Sequence, residues 1–288
     1  MNDTNNSTSL TKIRDTIYKD QPSDKRGTNK RYLAIGDSIT TGYGLKDGQK
    51  GYATLFAEST HADLIANLAI DGQRASELSA ALEEDGADYG IYVNAIKSAN
   101  IITISIGGND LMSAFYAFVA EIIGDGYTAE NVYSVLTNPL NNLPPILNIL
   151  FKLNSADYSA EMIDSAIFNT AVTACIANVN AVASKIKKIN PDVRILIANQ
   201  YNPYRWITGF PNIVNLFETG VSYYNSLFKQ SASADYNIVD IYSVFNASQN
   251  TLTNADLSAF SLDFHPNAAG HAVIAAEMAA VYNNERQS

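Results

Sequence analysis

Five short apolar runs recur along the chain with helical stretches between them: Tyr32 to Ile35, Asp63 to Ala69, Asn100 to Ile106, Val193 to Ala198 and Tyr236 to Ile241. Runs of this length bounded by turn residues predict strands, while stretches such as ASELSAALEE and GIYVNAIKSA are amphipathic at helical spacing. Strands joined through helices need right-handed crossovers, which lay the strands parallel and cover both faces of the sheet. The pattern therefore predicts an α/β fold, a three-layer α/β/α domain on a five-stranded parallel sheet.

That domain is expected to run from 30 to 288 as a single unit, since nearly half of the 288 residues are hydrophobic and a large core can be buried. Residues 1–29 are polar and weakly periodic and are expected to be a flexible segment. About residues 112–157 no strand pattern occurs, and this stretch is expected to be an insertion on the carboxyl-end side of the sheet. It would either pack as core or wall a ligand site.

The formal charge of −10 is uneven, because residues 1–31 hold seven Lys/Arg against four Asp and leave −13 for the remainder. Such a body repels phosphate backbones and anionic lipid surfaces, so no nucleic-acid partner is expected. No run is expected to approach the roughly 18 apolar residues that a membrane-spanning helix needs, so no stable membrane insertion is expected. The first residues lack the pattern of a signal peptide. The polar start could be the remnant of a tether left after export or a simple tail; the compartment stays open, with an extracellular setting preferred over a cytoplasmic one. Cys175, the only cysteine, excludes an intramolecular disulfide and falls in an apolar run that predicts an inert core thiol. Oligomeric state is not readable.

Three of the runs end in glycine-marked turns: Gly36-Asp37-Ser38, Gly72 in AIDGQRAS, and Gly107-Gly108-Asn109-Asp110. In a parallel sheet all such turns share one edge, so polar groups far apart in sequence can converge there. Locally, Asp37 or Ser38 would cap the helix that follows. Near the end, DFHPN places His265 on a loop before a helix, with Asp263 two residues earlier, whereas His271 falls within that helix and His61 in a loop before the second strand.

These blocks, GDS, Gly72, GGND and DFHPN in that order, resemble those of the SGNH (GDSL-like) hydrolase superfamily, as does the phrase ILIANQYNPY after the fourth strand. The resemblance implies an SGNH-hydrolase, flavodoxin-like topology and cleavage of carboxylic esters. It assigns Ser38 as nucleophile and His265 as its base. The amides of Ser38 and Gly72 and the side chain of Asn109 would form an oxyanion hole. Many members carry the acid three residues before the histidine. That position is Leu262 here, which leaves Asp263 as the candidate acid, or else a Ser-His dyad. Asp37 and Asp110 are expected to brace the turns.

The substrate would be a small-molecule ester, either an acyl ester or an acetylated sugar, with an esterase or lipase preferred over a carbohydrate acetylesterase. A catalytically inactive binding module is the third reading. Phe115, Tyr116, Phe118, Leu147 and Leu150 would favour an acyl chain if they face the site, and Tyr201, Tyr204 and Trp206 would suit a sugar face or an apolar alcohol. No metal or organic cofactor is implied. A dinuclear metallophosphoesterase would need more ligands than three histidines readily supply.

Overall fold

Alternate residues of the first strand feed two different cores. Tyr32 and Ala34 pack on one face of the sheet, Leu33 and Ile35 on the other, as the two-residue period of a strand requires. The computed structural model describes residues 30–124, 126–138, 141–259 and 261–284, so the expected flexible segment 1–29 lies outside the described residues. Its strands are β1 (Lys30–Gly36), β2 (Ala62–Asn67), β3 (Ile101–Ser105), β4 (Arg194–Ala198) and β5 (Asn237–Val239), all parallel in the order β2-β1-β3-β4-β5. This is the flavodoxin-like order.

Helices α1 (Ser38–Thr41) and α2 (Tyr52–Thr60) join β1 to β2, and α3 (Ala75–Ala81) and α4 (Tyr89–Ser98) join β2 to β3. Between β3 and β4 lie α5 (Gly108–Ile123), α6 (Ala129–Thr137), α7 (Leu143–Asn154), α8 (Ser159–Asp164) and α9 (Ala166–Ile189). Helix α10 (Pro211–Gln230) leads to β5, and α11 (Ile241–Ala247) and α12 (Ala268–Asn284) follow. The layer of α2, α11 and α12 covers the Tyr32 face, and α3, α4, α5, α9 and α10 cover the Leu33 face.

Two expectations change. The fifth strand stops at Val239 because the Asp240 carboxylate accepts the amide of Ser243 and caps α11. Helix α9 is long and apolar enough to cross a membrane by length and composition alone, against the expectation that no stretch comes near that limit. Phe168, Val172, Cys175, Val179, Val182 and Ile186 fall at helical spacing on its buried face, which packs into the core. Burying each such aliphatic or aromatic side chain contributes about 1.5–3 kcal/mol.

His271 lies inside the smaller layer. It is fully buried, and its Nδ1 accepts the Tyr52 amide at 3.2 Å, which ties α12 to the start of α2. Burial lowers its pKa to about 4. The unfolded chain therefore takes up a proton between pH 6.5 and 4 that the native state refuses, so this group's contribution to stability falls as pH falls through that window. Against His271→Asn, the wild type should lose on the order of 3 kcal/mol between pH 7 and 4 beyond any constant offset. Urea unfolding of both proteins across that range checks it.

Candidate active site

The chain leaves β1 towards β2 on one side and later takes up β3 on the other, so the turns after these three strands meet at the switch point of the sheet. Gly36 permits the closest approach. Its φ is +147°, and a Cβ there would lie 2.1 Å from the Ser105 carbonyl oxygen on β3. Only glycine lets the ends of β1 and β3 lie this close. The Asp37 amide then donates to Ser105 O at 3.0 Å, and the Asp37 carboxylate caps α1 by accepting the Ile39 amide at 3.0 Å. Because Asp37 is the cap, the hydroxyl of Ser38 is left for other use.

That hydroxyl lies 2.8 Å from His265 Nε2, and His265 Nδ1 lies 2.5 Å from Asp263 Oδ1. A carboxylate only accepts, so Nδ1 carries the proton and Nε2 is the acceptor for the serine O–H. Asp263 also accepts the His265 amide at 3.1 Å. The loop is pinned from outside: the Tyr204 hydroxyl donates to Leu262 O, the Tyr201 hydroxyl to Phe264 O, and the Asn254 amide to His265 O. The imidazole has the ring of Phe264 stacked at 4.4 Å and that of Tyr43 tilted against it at 4.6 Å.

The other two turns are bound to each other. Asn109 Nδ2 donates to the Gln73 carbonyl at 3.0 Å, and the Asp110 carboxylate accepts the Ala75 amide at 2.9 Å. Gly72 has φ +77°, a conformation that glycine adopts without strain. Among the described residues, the amides of Ser38 and Gly72 have no protein acceptor. Ser38, Gly72, Asn109, Asp263 and His265 border one open groove of about 640 Å³. A hydroxyl held by an imidazole, beside unpaired N–H donors, is an arrangement that can deprotonate an alcohol and stabilise an oxyanion.

The remaining expected residues part company. Phe115 and Tyr201 border a small slot beside Ser38, and Tyr204 and Tyr116 border the groove. Trp206 borders neither; it packs near Phe245 and lines a separate polar depression with Thr251 and Asn254. Phe118 is core, and Leu147 faces outward. Tyr43 and Phe264 escaped the sequence reading. Their only signal is adjacency to the serine turn and to the histidine, and their ring contacts with His265 are visible only in three dimensions. Among the described residues, no group of three or more His, Cys, Asp or Glu is placed to hold a metal ion.

The model of the GDSL-like lipase/acylhydrolase family matches residues 34–273. Among curated proteins, the chain is 24% identical over 278 residues to YpmR of Bacillus subtilis, covering 93% of this chain and 88% of that protein. It is also 24% identical to the spore germination lipase LipC of Bacillus licheniformis, over 87% of this chain and 95% of LipC. Among solved structures, a lipase from a goat rumen metagenome shares 22% identity and a TM-score of 0.56, covering 88% of this chain and 97% of that one. A phospholipase A1 from Streptomyces albidoflavus shares 18% identity and a TM-score of 0.54, covering 89% and 99%.

Electrostatics separate the two aspartates of the site. Burial acts to raise the pKa of Asp263, but the hydrogen bonds from the His265 ring and amide outweigh it and hold the carboxyl below its ordinary value. Asp37 is fully buried, and desolvation pushes its pKa to about 7, with Asp110 and Asp71 adding to the rise. A carboxyl whose folded pKa is raised loses stability for the fold as pH climbs from about 4 to about 7. Asparagine caps a helix as well as aspartate does. Relative to Asp37→Asn, the wild type should therefore become progressively less stable across that window, as chemical unfolding at pH 4, 5.5 and 7 would show.

Proposed function

The chain belongs to the GDSL-like lipase/acylhydrolase family, and on that premise we propose that it hydrolyses carboxylic esters with Ser38 as nucleophile. The observation that carries the reading is the hydrogen-bonded series Ser38 Oγ, His265, Asp263, assembled from the start of α1 and a distant loop. His265 Nε2 takes the hydroxyl proton as Oγ attacks the ester carbonyl carbon. Asp263, held ionised, fixes the tautomer and stabilises the imidazolium that forms. The contact between His265 Nδ1 and Asp263 Oδ1 supports a triad over a dyad.

The tetrahedral intermediate carries a negative oxygen. The amides of Ser38 and Gly72 and the second N–H of Asn109 Nδ2 are the proposed donors to it, with Asn109 oriented by its bond to Gln73. Collapse expels the alkoxide, which recovers the proton from His265. Water then repeats the sequence on the acyl-enzyme and releases the acid. All of these groups belong to the chain itself.

Ser38→Ala should abolish hydrolysis of p-nitrophenyl acetate while leaving thermal unfolding nearly unchanged. Undiminished activity in that variant would remove Ser38 as nucleophile. Asn109→Ala should lower kcat on the order of a hundred- to a thousandfold with the pH profile retained, as expected for loss of one oxyanion donor. Covalent labelling of Ser38 by a fluorophosphonate separates an enzyme from an inactive binding module, which would resist it.

A further inference from the structure

Two small apolar cavities adjoin the groove, one sharing Ser38, Asn109 and Phe264 with it and the other Tyr116, Leu136, Tyr204 and Leu262. The first is the slot beside Ser38, about 30 Å³, bordered by Leu111, Met112, Phe115, Phe217 and Val221, with Asp37 and Gln200 also reaching it. The second, also about 30 Å³, lies under α7 among Val119, Leu150, Leu153, Phe210 and Ile213. Phe115 and Phe217 border both. Their rings stack at 4.1 Å with 25° between planes, so this pair is the wall between the cavities.

The wall is held firmly. Phe168 packs edge-on against Phe115, and Tyr204 edge-on against Phe217. The tip of the Phe115 ring occupies the place a side chain would take at Gly220 on α10, where a Cβ would lie 2.6 Å from Phe115 Cζ. A ring so enclosed stays in one position. The slot therefore ends at the wall. At about 10–15 Å³ per water-sized group, 30 Å³ holds two or three carbons. The groove beside Ser38 is some twenty times larger in volume and is lined by Asp71, Asn138, Asn141 and Ser261 together with Leu136, Leu262, Phe264 and several tyrosines, a mixed surface with room for a large alcohol.

We propose that the slot receives the acyl group of the substrate, that the Phe115–Phe217 wall limits it to about four carbons counting the carbonyl, and that the groove receives the alcohol. The substrate class is thus a short-chain ester of a bulky alcohol. This rests on the ester-hydrolase reading given above and adds to it which side of Ser38 takes which half of the ester.

The test is kcat/KM for p-nitrophenyl acetate, butyrate, octanoate and dodecanoate with the wild type, Phe217→Ala and Phe217→Leu. For the wild type, kcat/KM should rise about fourfold per added methylene up to butyrate, as each methylene is buried, and fall at least about tenfold by octanoate, as overpacking demands. Removing the Phe217 ring joins the two cavities, so the octanoate-to-acetate ratio should rise at least about tenfold in Phe217→Ala and less in Phe217→Leu. Should Phe217→Ala fail to fold, Phe217→Leu decides by the same ratio. A wild type that prefers octanoate, or folded variants with an unchanged ratio, overturns the proposal while leaving the hydrolase reading intact. A wild type that cleaves no ester and takes up no fluorophosphonate at Ser38 overturns the hydrolase reading, and the slot with it. If Ser38 is labelled but no p-nitrophenyl ester is cleaved, the relative labelling rates with methyl and octyl fluorophosphonates in the same three proteins read the same preference, and an unchanged ratio overturns the proposal.

Discussion

The contact between Ser38 Oγ and His265 Nε2 joins residues 227 positions apart, and the rest of the architecture can be read as what holds those two atoms 2.8 Å from each other. On one side, β1 delivers Ser38 at the sheet edge through Gly36 and the Asp37 cap. On the other, the histidine loop has no regular structure of its own. It is fixed by hydroxyls of Tyr201 and Tyr204 from the segment after β4, and by a short antiparallel bridge between Thr253 and Pro266. The site thus depends on connections from β1, β3 and β4 at once, and a loop residue gains its precision from a rigid sheet.

Tyr201 and Tyr204 illustrate how chemistry and packing share residues. Both are buried, and each donates its hydroxyl to a backbone carbonyl of the histidine loop, while the rings border the slot and the groove. The same economy governs Asp110, whose carboxylate ties the start of α3 to α5 and so sets Asn109 beside Gly72. Asp37 is a different case. It caps α1 beneath the nucleophile, and burial raises its pKa to about 7, so it carries less negative charge near the proposed oxyanion than an ordinary aspartate would.

Much of this was legible in the sequence because it rests on local rules. Apolar runs of strand length, separated by helical periodicity, set the parallel sheet and its layers, and the glycine turns marked its functional edge. The resemblance carried by the four ordered blocks singled out Ser38, Gly72, Asn109 and His265, and these four residues border one groove. Boundaries were less legible: β5 ends early because the Asp240 side chain wins the Ser243 amide for a helix cap. Helix α9 reaches the length and hydropathy of a membrane span although Asn, Thr and Ser residues interrupt its apolar run, because its Ala, Val and Ile residues keep the average high.

What the sequence alone determined is the order of elements and the kinds of reactive group at the ends of strands, since both follow from residue type and spacing along one chain. Only the tertiary structure decided which groups meet. Asp263 reaches the imidazole because its loop is bent by bonds to residues 201–204 and 252–254, Trp206 turns away to pack near Phe245, and Tyr43 and Phe264 flank the His265 ring. The slot and its wall are likewise absent from any local pattern, because Phe115 and Phe217 belong to α5 and α10 and their stacking follows from how two helices pack on one face of the sheet. Distances of a few ångströms between remote side chains are set by packing, and packing is a property of the whole fold.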